Sequence, residues 1–471
     1  MHAYSGYMEH AFPADELLAT SGGKSSKFNG WSITLIDAMD TMWMMGLENQ
    51  FIDAVQVVAA QNFTTNSKYF VSFFETVIRY LGGLLSAYSL SGEPILLSRA
   101  DDLGTFLLPI FETPSGFPIN SGNVRNMDWM GKDILFSEAA SCQLEFKYLA
   151  KLTGRKEYYR TVDRIMERLY ATKTENGLFP TRWSGLGEPL DRQYTVGASG
   201  DSGYEYLLKQ YLLSGDTKAL TQYLESINGV MQWLLFVTPT RELLYVASMN
   251  HLTVKHDLEH LACFLPGLLA LGAHTIPDAY LPAKERERHK WAAAGLAYTC
   301  YLLYADQKSG LGPEKVGMPP GLKEEGPIKN QKKKDYDLNG GGTYFLRPET
   351  VESLYIMWRT TGEEKWRERG YEIFVAIERH AKTRYGYTSV AHVDMDPVRP
   401  LDEMPSFFLA ETLKYLFLLF DEEDRYPFSK WVFNTEAHPL PVFKWSSWER
   451  KLYRIIPELD GVQTTCEASI N

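Results

Sequence analysis

Four apolar stretches of this chain end in Ser-Gly or Thr-Gly, and each runs directly into a stretch of mixed charged and apolar residues. The junctions are Ser91-Gly92, Thr153-Gly154, Ser214-Gly215 and Thr361-Gly362, with successive glycines 62, 61 and 147 residues apart. Glycine supplies the left-handed residue that ends a helix and lets the chain reverse. Each junction therefore predicts a helix pair. Repetition at a fixed period marks an array of equivalent units, none of which buries its apolar face alone. The longest gap leaves room for diverged copies.

The stretches before the junctions are apolar nearly all round: Phe73 to Tyr88, Gln143 to Leu152, Tyr204 to Leu213, Val351 to Trp358, and also Phe407 to Phe420. Helices of that kind are buried on most sides. The stretches after the junctions are amphipathic. Residues 155–170 place Tyr158, Tyr159, Val162, Ile165, Met166 and Leu169 on one stripe, with Arg160, Asp163, Arg164 and Glu167 opposite. Residues 365–378 repeat the pattern less cleanly, with Trp366, Arg369, Tyr371, Ile373 and Ile377 among charges. Inner and outer helices alternating around a ring predict an all-α toroid. At about 60 residues per pair, this length holds about seven pairs, an (αα)7 barrel. A single domain over residues 1–471 is expected, with Met318 to Gly342, rich in Pro, Lys and Gly, as a loop.

The formal charge of −11 gives no electrostatic footing for a phosphate backbone, so nucleic acid is excluded as the expected partner. A composition 45% hydrophobic and 13% aromatic fills a large core, and aromatic and acidic residues together also suit a neutral, hydroxyl-rich ligand. No apolar run reaches the roughly 18 to 20 residues of a membrane span, and the first residues lack the features of a signal peptide. Any targeting segment is expected to lie outside this sequence. Four cysteines are too few for a disulfide scaffold and lack zinc-site spacing. Cys263 and Cys300 lie in apolar stretches that could pack together. A bridge there would contribute roughly 3 to 4 kcal/mol by loop entropy, but spacing alone favours free buried thiols. Asn62-Phe63-Thr64 is a glycosylation sequon, a weak sign of a secretory setting.

Carboxylates recur at fixed places on the inner stretches. Glu145 precedes its junction glycine by 9 residues, Glu205 and Glu352 by 10, Glu349 by 13, Asp201 by 14 and Glu75 by 17; Glu411 lies ten before the acidic break at Asp421. Parallel inner helices would gather these acids at one end of the ring. Buried carboxylates are costly unless paired or used. Glu75 and Arg79, four apart, could form a simple helical ion pair. As a set in an aromatic pocket, the acids could carry glycoside hydrolysis, in which one carboxylic acid protonates the leaving oxygen and a second carboxylate activates water. They could equally bind a divalent cation, and periodicity leaves both open.

Eight ordered blocks carry a resemblance: GWSITLIDAMDTMWMMGL from Gly30, FETVIRYLGGLLSAY from Phe74, GDSGYEYLLKQY from Gly200, HLACFLPG from His260, GLGPE from Gly310, FLRPETVES from Phe345, SFFLAETLKYLFLLF from Ser406 and FNTEAHPLP from Phe433. Over about residues 3–441 the chain resembles glycoside hydrolase family 47, the class I α-1,2-mannosidases. The resemblance implies an (αα)7 barrel that removes terminal α-1,2-linked mannose from high-mannose N-glycans with inversion, and one bound Ca²⁺. Carried over by block, it implies Glu75 as general acid acting through a water, Asp201 as a second catalytic carboxylate and Glu314 as general base. Arg79 becomes a substrate contact beside Glu75. Thr435 matches the residue whose oxygens bind Ca²⁺, with Glu436 and other acids holding the metal's waters. Phe345 resembles the ring on which mannose packs, with Glu145, His260, Glu349 and Glu411 around the sugar hydroxyls. Read without the family, Phe345 and His260 would be core residues and Thr435 a helix cap.

The resemblance also places Cys263 and Cys300 at the family's disulfide, and so in an oxidising compartment: the Golgi or endoplasmic reticulum lumen, or outside the cell. A monomer without membrane contact of its own is expected. Ser199 stands where endoplasmic-reticulum-type members carry Arg, which resembles the more permissive Golgi and fungal branch. The rival reading is a glycan-recognition factor of glycoprotein quality control with weak turnover, similar to the degradation-enhancing mannosidase-like proteins. Residues after about Pro441, with Trp445, Trp448 and Cys466, have no family counterpart.

Overall fold

The computed structural model describes residues 1–63, 71–119, 121–122, 133–172, 174–319, 334–338 and 341–455. The sequon's Thr64, most of the Met318 to Gly342 segment and Cys466 lie outside them. All four junction glycines end helices in the left-handed conformation, with φ of 76° at Gly92, 71° at Gly154, 77° at Gly215 and 69° at Gly362. Each glycine N–H closes the last turn on the carbonyl four residues back.

The helices are α1 (His2–His10), α2 (Ile33–Asp37), α3 (Met39–Met44), α4 (Glu48–Ala60), α5 (Gly82–Ser91), α6 (Pro94–Leu107), α7 (Gln143–Thr153), α8 (Lys156–Ala171), α9 (Asp201–Ser214), α10 (Thr217–Trp233), α11 (Leu265–Thr275), α12 (Ala283–Ala305), α13 (Glu349–Thr361), α14 (Lys365–His380) and α15 (Leu413–Phe420). The inner helices touch in the order α3, α5, α7, α9, α11, α13, α15, and a π-helical turn before α15 returns to α2 and α3. The ring is closed. Helices α4, α6, α8, α10, α12 and α14 each follow an inner element and pack outside it, giving the expected α/α barrel. The pair α11/α12 fills the long gap in the glycine spacing. Stripe residues Tyr158, Val162, Ile165, Met166 and Leu169 of α8 are all buried, as amphipathic periodicity requires.

Cys263, just before α11, is bridged to Cys300 of α12, so the pairing implied by the resemblance holds and the free-thiol reading from spacing does not. Cys142 is a buried free thiol. Two inner stretches read as continuous helix contain π-helical turns, Thr76–Leu81 and Phe408–Thr412. The last described element, α16 (Ser447–Tyr453), starts with a capping box of Ser446 and Glu449 and packs on α8. There Tyr453 stacks on Tyr159 with ring centroids 5.1 Å apart. Among the described residues no helix is long and apolar enough to cross a membrane.

Strands are short, and one hairpin matters for the site. Trp431–Phe433 pairs antiparallel with Pro439–Pro441, and its turn, Asn434 to His438, enters the ring. Packing forces Gly82 to be glycine: a Cβ there would lie 2.6 Å from Asn434 Nδ2 and 3.0 Å from His438 Cδ2. A side chain would force the Asn434 amide and the His438 ring to shift.

Candidate active site

The hairpin turn is where the inner helices' polar groups meet. His438, fully buried, sits between two carboxylates, with Nδ1 2.8 Å from Asp40 and Nε2 3.1 Å from Asp37. Both acceptors are carboxylates, so each ring nitrogen must donate and the imidazole is held charged. Burial pulls His438 down, but Asp40 and Asp37 outweigh it and raise its pKa. Lys414 pairs with Asp40 at 2.8 Å and donates to the Ala437 carbonyl at 2.7 Å. Burial pushes Asp40 up, yet Lys414 and His438 overcome this and hold its carboxyl at about 2.

One level up, Arg79 organises a second cluster. Its Nε donates to Glu75 at 2.6 Å, and its Nη1 bonds to Ser406 at 3.0 Å and pairs with Glu436. The guanidinium lies between the rings of Phe28 and Phe407, 5.4 and 5.5 Å from their centroids. The sequence's suggestion of a helical Glu75–Arg79 pair is therefore met, but as one edge of a buried network and not a surface contact.

Glu314 and Glu349 form a further cluster around Arg347, whose guanidinium lies 5.5 Å from the same Phe407 ring that Arg79 faces. Arg347 Nε bonds to both Glu314 oxygens, at 3.1 and 2.8 Å, and the Phe345 N–H points at the same carboxylate from 3.4 Å. Burial raises the Glu314 pKa, Arg347 and His260 opposing it. His260 Nδ1 lies 2.7 Å from Glu349 and its Nε2 2.7 Å from the Tyr304 hydroxyl. Since the carboxylate accepts, Nδ1 carries the hydrogen and Nε2 faces hydroxyls. Both nitrogens are thus engaged by protein groups, and the buried imidazole holds Glu349. Burial pushes Glu349 up, but His260 and Arg347 outweigh it and keep it below its usual range.

Other acids of the ring are less fully compensated. Asp201, the first residue of α9, accepts among the described residues from the N–H and hydroxyl of Ser202, and burial, with Glu205 and Glu349 nearby, pushes it up to about 7. Burial raises Glu352, with Lys209 opposing it and Glu205 and Glu349 adding to it, and burial raises Glu411, with Glu436, Glu349 and Glu352 adding to it. Glu205 pairs with Lys209. Glu145, fully buried beneath the hairpin, accepts from Tyr206 and Asn434, each at 2.7 Å, while its Oε2 has no partner; burial lifts it to about 7. Mutual electrostatic influence links Asp201, Glu205, Glu314, Glu349, Glu352, Glu411, Glu436 and Glu75, so acids from six separate stretches share one cup.

Thr435, at the apex, is half-buried, and its N–H points at the Tyr206 hydroxyl from 3.4 Å. It is a turn residue, not a helix cap. Phe345 is half-buried at the wall, and Ser199, with φ of 76°, is half-buried just before α9. Among the described residues no group of three or more His, Cys, Asp or Glu side chains is arranged to hold a metal directly. The acids whose charges act on one another around the turn are nonetheless oxygen donors crowded with negative charge. That suits a hard cation reached partly through water.

Sequence reasoning missed Arg347, Asp37, Asp40, His438, Lys414, Lys209 and Ser406. Each lies in or beside a quoted block, and the signal was a charged or polar residue inside an apolar helix or turn.

A model of glycosyl hydrolase family 47 matches residues 1–442. The chain is 39% identical over 459 residues to the human endoplasmic reticulum mannosyl-oligosaccharide 1,2-alpha-mannosidase, covering 94% of this chain and 63% of that protein. It is 36% identical over 454 residues to the Arabidopsis thaliana mannosyl-oligosaccharide 1,2-alpha-mannosidase MNS1, covering 94% of this chain and 77% of that protein. Among solved structures, the alpha-1,2-mannosidase from Trichoderma reesei superposes with a TM-score of 0.85 at 31% identity, covering 93% of this chain and 96% of that one. A D-mannose isomerase shares the barrel at a TM-score of 0.53 and 12% identity, covering 77% and 89%, a likeness of fold alone. With the model match running through every block that supplies the cup, the chain belongs to glycosyl hydrolase family 47.

Proposed function

We propose that this chain removes terminal α-1,2-linked mannose from high-mannose N-glycans of glycoproteins in the secretory pathway, with inversion at the anomeric carbon. The observation that carries the reading is the convergence of Glu75, Asp201 and Glu314 on one cup in three different electrostatic settings. Asp201 is uncompensated and raised, Glu314 is raised by burial but ion-paired to Arg347, and Glu75 is bound to Arg79. Acid and base roles call for carboxylates set in distinct surroundings.

In this reading a proton passes from Glu75, through a water, to the glycosidic oxygen as the C1–O bond breaks. Asp201 stands as the second catalytic carboxylate. Glu314 takes a proton from a water whose oxygen bonds to C1 from the opposite face. Phe345 packs on the ring, while Glu349 and Glu411 face sugar hydroxyls. Thr435 would hold Ca²⁺ through its oxygens, with Glu436 and neighbouring acids around it; the unpartnered Glu145 Oε2 and the crowd of raised carboxylates fit such an ion. When bound, the ion supplies positive charge that offsets the acids and polarises water. Ser199 in place of a long cation supports trimming of several mannoses; digestion of a high-mannose glycan with excess enzyme that stops after one residue overturns that part.

The deciding experiment is proton NMR of the mannose first released from α-1,2-mannobiose, with and without a calcium chelator. Initial β-mannose, abolished by the chelator, is expected. Initial α-mannose overturns inversion, and absence of release overturns the activity. A glycan-recognition factor with weak turnover would bind high-mannose glycan yet release almost nothing.

A further inference from the structure

Asn434 is fully buried, and all four hydrogen-bonding positions of its side-chain amide are used. Its Oδ1 accepts the backbone N–H groups of Glu436 and His438, both at 2.8 Å. Its Nδ2 donates to the Ile78 carbonyl at 3.0 Å and to Glu145 Oε1 at 2.7 Å. Two N–H donors on one side and two oxygen acceptors on the other allow only this amide orientation. Closing the turn needs just the first pair of bonds. The second pair leaves the hairpin and enters the π-helical turn Thr76–Leu81, where the Gly82 N–H bonds to the carbonyls of Val77 and Arg79 and not to Ile78. Single π-turns recur where a helix must re-aim a functional side chain.

The residue after Ile78 is Arg79, which pairs with Glu436 and with Glu75. One amide therefore grips both partners of the Arg79–Glu436 pair through their backbones, by the carbonyl just before the first and the N–H of the second. We propose that Asn434 is a positioning residue for Glu75: by holding Ile78 and Glu436 together it fixes Arg79, and Arg79 fixes the Glu75 carboxylate. The role of Glu75 as acid rests on the function proposed above; the geometry of the hold does not.

The test compares wild type with Asn434→Asp, which keeps both acceptor bonds of the turn but, with at most one O–H in place of two N–H donors, cannot hold Ile78 and Glu145 together. On α-1,2-mannobiose, kcat is expected to fall about 100-fold, the cost of a small misplacement at a reacting centre, with KM within about threefold. A second variant, Gly82→Ala, brings a Cβ to within 2.6 Å of Asn434 Nδ2 and should displace the amide while leaving its chemistry intact. It is expected to show the same split between kcat and KM. Crystals of wild type and Asn434→Asp give a readout independent of turnover, and a displaced Glu75 carboxylate with the Arg79–Glu436 pair opened supports the proposal. Folded variants with kcat within threefold of wild type, or an unmoved Glu75, overturn it, as does failure of both variants to fold, which would make the role purely structural. If wild type itself releases no mannose, the functional reading falls, and the crystals alone decide the positioning.

Discussion

Replacing Arg347 by Met should move the acidic limb of the pH profile, because Arg347 is the cation in contact with Glu314. At the 2.8 Å Nε–Oε2 separation and an effective dielectric of about 20, the Coulomb term is about 6 kcal/mol. The two side chains are 22% and 17% exposed, so water screens much of this. An opposite charge in contact commonly lowers a carboxylate by about 1 to 3 pH units, which is about 1.4 to 4 kcal/mol. Burial already raises Glu314, and without Arg347 nothing as close opposes it. A base works only when ionised, so activity is present above its pKa and lost below. In Arg347→Met the acidic limb of kcat/KM should therefore shift about 1 to 3 units toward alkaline pH, while Arg347→Lys, which keeps the charge, should shift it by less than about 1 unit. Glu349 also loses a neighbour, but its His260 contact at 2.7 Å remains. An acidic limb that stays within about 0.3 units in a folded Arg347→Met enzyme would refute either the base role of Glu314 or the importance of the pair.

Glu314→Gln should still bind high-mannose glycan by calorimetry while turnover falls by about 100-fold or more, and near-normal turnover would remove Glu314 from the base role. Paired Cys263→Ser and Cys300→Ser changes should cost about 4 kcal/mol by the loop-entropy relation for a separation of 37 residues, read as a fall of about 4 °C in melting temperature for a chain of this size; an unchanged melting temperature would deny the bridge a stabilising role. His289, 2% exposed, is depressed to about 4 by burial, with Arg288 and Arg286 adding to the effect. Its folded pKa lies below its unfolded one, so the stability it allows is full above about pH 6.5 and is lost as pH falls toward 4, by up to about 3 kcal/mol. Denaturant melts between pH 7 and 4.5 should show a shallower loss for His289→Gln than for wild type, and parallel curves would disprove the assignment.

The ring was legible because its signals are local. A glycine after each inner stretch reports a left-handed turn, and the all-round apolar character of the stretch before it reports burial; both depend on nearest neighbours in the chain. The acids were legible as recurrences on those stretches, but the depth of the cup was not. Glu145 recurs within one residue of the spacing of Glu205 and Glu352, yet only the folded chain puts it under the hairpin with one oxygen unpartnered among the described residues. The π-turns left no mark, since an i to i+5 bond needs no special residue. The Cys263–Cys300 bridge could not be read from spacing, because an inner helix and its outer partner meet at a register that side-chain packing decides. Arg347, Lys209 and Lys414 escaped for a related reason: a cation inside an apolar stretch reveals that it must be paired, but not with which of several acids.

The hairpin explains why the site could not be assembled from any one repeat. Each inner helix can deliver one or two acids to the ring's interior, but their charges repel, and Glu352 and Glu411 are raised by that field as well as by burial. Within the ring, compensation comes from Arg79, Arg347, Lys209 and Lys414, and three of these four are tied to the hairpin turn itself, most closely Arg79 to Glu436 and Lys414 to the Ala437 carbonyl. Lys209 reaches the same turn at the Asn434 carbonyl, 3.4 Å away. The turn therefore does two things that helices alone cannot. It offers backbone carbonyls that satisfy buried cations without adding charge, and it fixes those cations relative to acids from stretches hundreds of residues apart. Removing the hairpin would leave the ring's apolar contacts in place and its carboxylates without a common reference. For that reason the chemistry of this barrel depends on residues 431–441 more than on any single inner helix.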